Sequence, residues 1–164
     1  MHKSQLLVGV LGLRNSGKSH TWNTLFGRTV RTGKHDLYFS PDEHVKTYLI
    51  SGSPEERKKA VKDILFNGQN RRIILCSMQY VDGVEETLDY FADNHFFMYL
   101  QWLNPARGRY DVKSFDVLGL TSRILSARSL LSMRSSHKNA ASRVRELRNF
   151  IFGWAKFHGL LLRS

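Results

Sequence analysis

A single cysteine, Cys76, stands among 164 residues, which excludes an intrachain disulfide and a zinc site built from thiolates. Its place in the apolar run R-R-I-I-L-C-S-M makes it a reduced, buried side chain rather than a nucleophile. No apolar run approaches the roughly 20 residues that cross a bilayer. The short stretch behind the basic start M-H-K-S runs directly into glycines, which is not the pattern of a secretory signal. Repeats, low-complexity tracts and Pro- or Ser-rich linkers are missing, so residues 1–164 read as one domain. The seven histidines show no paired metal spacing. A cytoplasmic protein without a membrane partner is the expectation.

Acidic residues are also few, with 14 Asp and Glu against 25 Lys and Arg, a formal net charge of +11. The excess is uneven. Residues 1–104 hold 13 basic and 11 acidic side chains, and residues 105–164 hold 12 and 3. A basic C-terminal third suits nucleic acid, an acidic protein partner or the phosphates of a ligand, and a solvated face equally. The 41% hydrophobic and 12% aromatic fractions place the chain among folded globular proteins.

The segment Q-L-L-V-G-V-L reads as a strand buried on both faces, because its apolar positions run on rather than alternate. A helix is expected from Gly17–Lys18 to Phe26, stopped by Gly27. H-D-L-Y-F-S and V-K-T-Y-L-I-S flank P-D-E-H as a hairpin. Ser53, Pro54 and Glu56 form a capping box that predicts a helix through S-G-S-P-E-E-R-K-K-A-V-K-D-I-L-F-N-G, with Ala60, Val61, Ile64 and Leu65 inward. R-R-I-I-L-C-S-M is a further strand, D-G-V-E-E-T-L-D-Y-F-A-D-N-H an amphipathic helix, and F-F-M-Y-L-Q-W-L a strand ended by Asn104-Pro105. Beyond it the pattern predicts helices only, over L-T-S-R-I-L-S-A-R-S-L-L-S-M and N-A-A-S-R-V-R-E-L-R-N-F-I-F-G-W-A-K-F-H-G-L-L. Alternating strands and helices predict an α/β fold, a mostly parallel sheet with helices on both faces.

Between the first strand and helix lies G-L-R-N-S-G-K-S-H. Gly12, Gly17, Lys18 and Ser19 satisfy G-x-x-x-x-G-K-[ST]. Such a loop bends tightly around a phosphate and turns its N–H groups inward, and the helix behind it adds unpaired N–H groups and a positive dipole end. Gly12, Asn15, Ser16, Gly17, Lys18, Ser19 and His20 are the candidate phosphate-binding residues. Lys18 is placed to reach the β- and γ-phosphates, and the Ser19 hydroxyl to hold Mg2+.

The segment resembles the P-loop NTPase superfamily. G-L-R-N-S-G-K-S-H-T-W-N-T-L-F-G is similar to the opening of the translation-factor-related GTPases, G-x-x-N-x-G-K-S-[ST]-x-x-N-x-L-x-G. It matches at Gly12, Asn15, Gly17, Lys18, Ser19, Asn23, Leu25 and Gly27, and departs at His20. The resemblance implies a three-layer P-loop NTPase fold, here with about five strands and a helical C-terminus, and a nucleoside triphosphate with Mg2+. Two motifs of that family are degenerate. Ser51 stands where Asp-x-x-Gly supplies its Asp, and Asn104 lacks the Lys and Asp of Asn-Lys-x-Asp. Without an acceptor for guanine N1–H and N2–H2 groups, ATP is expected ahead of GTP.

The R-R-I-I-L-C-S-M-Q-Y strand ends at Gln79 without a carboxylate for Mg2+. Thr32 (or Thr29), in the loop where the GTPases sense the γ-phosphate, and Asp42 or Glu55 are the remaining candidates, although each carboxylate also suits a turn or a first helical turn. Arg107 and Arg109 resemble the lid arginines with which small P-loop kinases neutralise transferring phosphate. Arg143, at the edge of an apolar helix stripe, either snorkels outward or reaches inward to a phosphate. Two functions remain open: an ATPase or small phosphotransferase, and a degenerate GTPase-like switch that contacts a protein or nucleic acid through residues 105–164.

Overall fold

The computed structural model describes residues 4–68, 70–105, 116–136 and 139–164. Strand β1 (Gln5–Gly12) runs parallel to both β4 (Ile73–Gln79) and β5 (Phe96–Leu103), with Gly9 in register with Cys76 on one side and Leu100 on the other. A central strand is flanked on both edges and both faces, which is why its sequence is apolar without alternation. β3 (Glu43–Ile50) continues the sheet beyond β4, and β2 (Gly33–Ser40) returns antiparallel to it. The order is β2-β3-β4-β1-β5-β6, where β6 is Ser129–Arg134, and β7 (Leu162–Arg163) pairs with the start of β3.

Side chains alternate across β1 into two separate cores. Leu7 and Leu11 join α3 (Val61–Ile64), α4 (Val84–Asp93) and α5 (Leu120–Leu125) through Val61, Ile64, Val84, Leu88, Phe91, Leu120 and Ile124. Leu6, Val8 and Val10 face α1 (Lys18–Phe26) and α6 (Ala141–Phe157) through Trp22, Leu25, Val144, Leu147, Ile151 and Ala155. Trp22 also ties α1 to the sheet, its indole N–H donating to Ser77 Oγ at 2.8 Å. Three layers result, and Cys76 is buried in the first core.

Four sequence expectations need correction. Among the described residues the sheet has seven strands, not about five. The stretch read as helix through Met133 is α5 followed by β6, which pairs in parallel with β5. Serine hydroxyls end the helix, because Ser126 Oγ donates to Ser122 O and Ser129 Oγ to Ile124 O, and the open edge of β5 then captures the following residues. The capped helix after Ser53 is also shorter. Ser53 Oγ does accept the Glu56 N–H at 3.2 Å, but α2 covers only Pro54–Arg57. Lys58 turns left-handed (φ 51°, ψ 41°) and the chain restarts at α3. Between Pro54 and Ala60 every residue is charged, so no apolar face holds a continuous helix to the sheet. The final helix likewise stops at Phe157, and Leu162–Arg163 joins the sheet.

Candidate functional site

The loop from Gly12 to Ser19 connects the C-terminal end of β1 to α1, in the position where parallel sheets gather ligands. Its shape is imposed by two glycines. A Cβ on Gly12 would lie 2.3 Å from Ser16 Oγ and 3.0 Å from Ser16 Cβ, so any side chain there would force Ser16 to shift. Gly17 sits at φ 98°, a left-handed conformation that side chains rarely adopt. Asn15 also takes a positive φ, 61°, at the exposed tip, and the Ser16 N–H donates to Leu13 O at 3.2 Å.

Lys18 folds back over the loop. Its Nζ donates to Leu13 O at 2.8 Å and to Gly12 O at 3.3 Å. Burial lowers its pKa, while the charges of Glu56 and Glu55 work in the opposite sense. Ser19 and His20 are exposed on the first turn of α1. Loop and helix open onto a cavity of about 790 Å³ whose wall includes Gly17, Lys18, Ser19, Glu55, Glu56 and Gln79.

Glu55 and Glu56 are the carboxylates this topology brings to the loop, and Glu55 is the more buried of the two. Both of its oxygens are buried without a hydrogen bond of good geometry. Burial pushes its pKa up, against the pull of its own backbone N–H, the Thr87 hydroxyl, the Gln79 backbone and the Ser53 hydroxyl. The Ser19 hydroxyl and the Glu55 carboxylate are both hard oxygen ligands of the kind Mg2+ takes, and they share the cavity wall.

Other candidates are placed elsewhere. Asp42 lies in the turn between β2 and β3; because β2 runs antiparallel, that turn is at the opposite end of the sheet from the loop. The structure therefore does not bring Asp42 to Ser19. Thr32 is tied to the end of β3, its Oγ1 accepting the Ser51 N–H at 3.1 Å and an Arg57 Nη2–H. Arg107 and Arg109 lie outside the described residues. Among the described residues there is no cluster of three His, Cys, Asp or Glu side chains able to hold a metal, and no helix is long and apolar enough to cross a membrane.

Asn104 closes the far side of the loop. It is left-handed (φ 53°), its Nδ2 donates to Ser136 Oγ at 2.6 Å, and its Oδ1 accepts the Ser136 N–H at 2.9 Å. Ser136 follows β6 and packs near Gly17. Sequence reasoning missed it because β6 was expected to be helical. Arg143 points inward, and its buried partners Thr21 and Gln101 were missed as well. A signal for Gln101 existed: it is the polar residue within the apolar run F-F-M-Y-L-Q-W-L.

No family model and no curated protein matches the chain. Among solved structures it is similar to the translation elongation factor SelB from Methanococcus maripaludis, in complex with the GTP analogue GppNHp. The two share 15% identity and a TM-score of 0.50 over 93% of this chain and 34% of that one, so this chain spans only a third of the other's length. At that identity the likeness is one of fold: an α/β architecture built on a mostly parallel sheet, of seven strands among the described residues.

Proposed function

We propose that this chain binds a nucleoside triphosphate with Mg2+ in the cavity at the Gly12–Ser19 loop and cleaves or transfers its terminal phosphate. The observation that carries this reading is the Lys18 ammonium, held over two loop carbonyls at the mouth of a helix N-terminus. In that position it moves onto a phosphate chain by exchanging carbonyl oxygens for phosphate oxygens. Ser19 and Glu55 are proposed to hold the metal, directly or through water, and the metal would supply charge neutralisation at the terminal phosphate. Gln79, on the same wall, is proposed to orient the attacking group.

ATP is proposed ahead of GTP, because the sequence after β5, Asn104-Pro105-Ala106-Arg107, offers guanine no carboxylate. A second reading, a nucleotide switch with weak turnover, draws support from Ser51. It stands where the related GTPases have their magnesium-supporting Asp, and its N–H is already engaged by Thr32. Under that reading the exposed Arg145 and Lys156 on α6 face the protein or nucleic-acid partner.

Calorimetric titration with the Mg2+ complexes of AppNHp and GppNHp, together with phosphate release from ATP and GTP, tests both readings. Binding is expected in the wild type. Lys18→Ala is expected to weaken it roughly 30-fold, the loss of a charge-assisted hydrogen bond worth about 2 kcal/mol. Binding unaffected by Lys18→Ala overturns the site. Tighter binding of GppNHp overturns the preference for ATP, and binding without turnover selects the switch.

A further inference from the structure

Helix α6 turns one cation into the protein. Arg143 is only 5% exposed, and its guanidinium lies between α1 and β5. Nη1 donates to Thr21 Oγ1 at 2.5 Å and, at 3.4 Å, to Gln101 Oε1. Nε is buried with no partner. Nη2 lies against Gly17, 3.6 Å from where a Cβ would be. The ion pairs among the described residues join Arg123 to Asp89 and Arg134 to Glu146, so no carboxylate there answers this charge. Burial depresses the guanidinium's pKa, with no neighbouring carboxylate acting in the other direction.

A buried cation without a counter-charge is costly, and two features of its setting point to an anion in the loop. The first is place: the guanidinium is directly behind Gly17, the residue that caps α1. The second is connection. Thr21 Oγ1, which accepts from Arg143, donates to Gly17 O at 2.9 Å. That carbonyl belongs to the Gly17–Lys18 peptide. The Thr21 N–H donates to the same carbonyl at 3.1 Å, so helix bond and hydroxyl together hold it inward. Because C=O and N–H of a trans peptide point in opposite directions, the Lys18 N–H turns out towards the loop's concave side.

We propose that Arg143 is the buried counter-cation of the bound phosphate chain, a positioning residue that acts through Thr21 and the Gly17–Lys18 peptide and biases the site towards ligands with more phosphate charge. This rests on the nucleotide reading given above. Arg143 does not touch the ligand. Its charge acts across the loop backbone, so its effect grows with each negative charge the ligand carries.

The test uses the full chain, titrated with the Mg2+ complexes of adenosine and guanosine mono-, di- and triphosphates, alongside melting of the ligand-free protein. Arg143→Met is expected to lose little affinity for the monophosphate and roughly tenfold or more for the triphosphate, as a charge effect across the loop demands. Arg143→Lys, which keeps the charge, is expected to restore most of the difference. The ligand-free Arg143→Met protein is expected to melt no lower than wild type, since an apolar chain replaces an unanswered charge. Equal loss for all three ligands, or wild-type affinities accompanied by a lower melting temperature, makes Arg143 a packing residue and overturns the proposal. If Arg143→Met does not fold, Thr21→Val, which removes only the relay, decides: wild-type triphosphate affinity in that variant overturns it. Failure of the wild type to bind any of the ligands removes the nucleotide reading and this inference with it. Binding that Lys18→Ala abolishes and Arg143→Met leaves untouched removes this inference alone.

Discussion

Lys58→Gly separates the structure from the continuous helix that the sequence predicts, because the two give opposite signs. In the structure Lys58 is exposed and left-handed, at φ 51° and ψ 41°. A non-glycine side chain in that region costs about 1–2 kcal/mol. Glycine removes this cost but adds about 0.4–1 kcal/mol of unfolded-chain freedom. The net is a stabilisation of about 0.5–1 kcal/mol, a rise in melting temperature of roughly 1–4 °C for a chain of this size. In the interior of a continuous helix over 54–67 the same change would destabilise by about 1 kcal/mol. Urea unfolding at equilibrium reads the difference as a shift in midpoint at constant slope. Lys62→Gly, in the exposed interior of α3, is the control and destabilises under either description. A lowered midpoint for Lys58→Gly refutes the left-handed turn, and with it the break that sets Glu55 against the loop.

Gly12→Ala forces a Cβ to within 2.3 Å of Ser16 Oγ and is expected to destabilise by about 1–3 kcal/mol through overpacking. Ser16→Gly in the same chain is expected to recover most of that, and additive effects in the double-mutant cycle would show that the two residues do not press on each other. Asp116 accepts the Leu120 and Thr121 N–H groups and the Tyr80 hydroxyl. Burial raises its pKa, but the Thr121 and Leu120 N–H groups and the Tyr80 hydroxyl outweigh this and hold it below the ordinary carboxylate range. A depressed carboxylate stabilises above its unfolded pKa of about 3.9, and that contribution fades as pH falls through its lower folded value. Wild type should therefore lose stability below about pH 4 more steeply than Asp116→Asn, which should cost about 1 kcal/mol at neutral pH because an amide keeps only one acceptor oxygen for these donors; parallel pH curves would refute the assignment.

What the sequence showed depended on whether the deciding interactions are local. The strand–loop–helix unit from Gln5 to Phe26, the β2–β3 hairpin and α4 are specified by contiguous residues: a buried run, glycines at fixed spacing, an amphipathic period. β6 is different. S-L-L-S-M-R has an apolar pattern too short to distinguish strand from helix, and the free edge of β5, some 30 residues earlier in the chain, decides it. The same limit applies at the site. Gly12, Gly17, Lys18 and Ser19 are neighbours in sequence and in space. Arg143 meets Thr21 across 122 positions, and Asn104 meets Ser136 across 32. Asp42 shows the reverse error: it is close in sequence to Thr32, yet the direction of β2 carries it to the other end of the sheet.

The charges around the loop constrain what enters it. Lys18 rests on carbonyls and Arg143 has no carboxylate partner among the described residues, so the back of the loop holds positive charge that an anion would satisfy. Glu55 on the facing wall works against this. It is buried and displaced towards its neutral form, and a phosphate chain brought beside it would push it further the same way. Two outcomes relieve the conflict. Either Glu55 takes a proton as the anion enters, or a divalent cation bridges carboxylate and phosphate and lets both stay ionised. Under the proposed reading the second would bring Ser19 and Glu55, which share the cavity wall, to one ion. A monovalent anion would satisfy the back of the loop without needing Glu55 at all. Lys18 and Glu55 on the wall of one cavity therefore suit the metal-bound polyphosphate proposed above better than a simple anion.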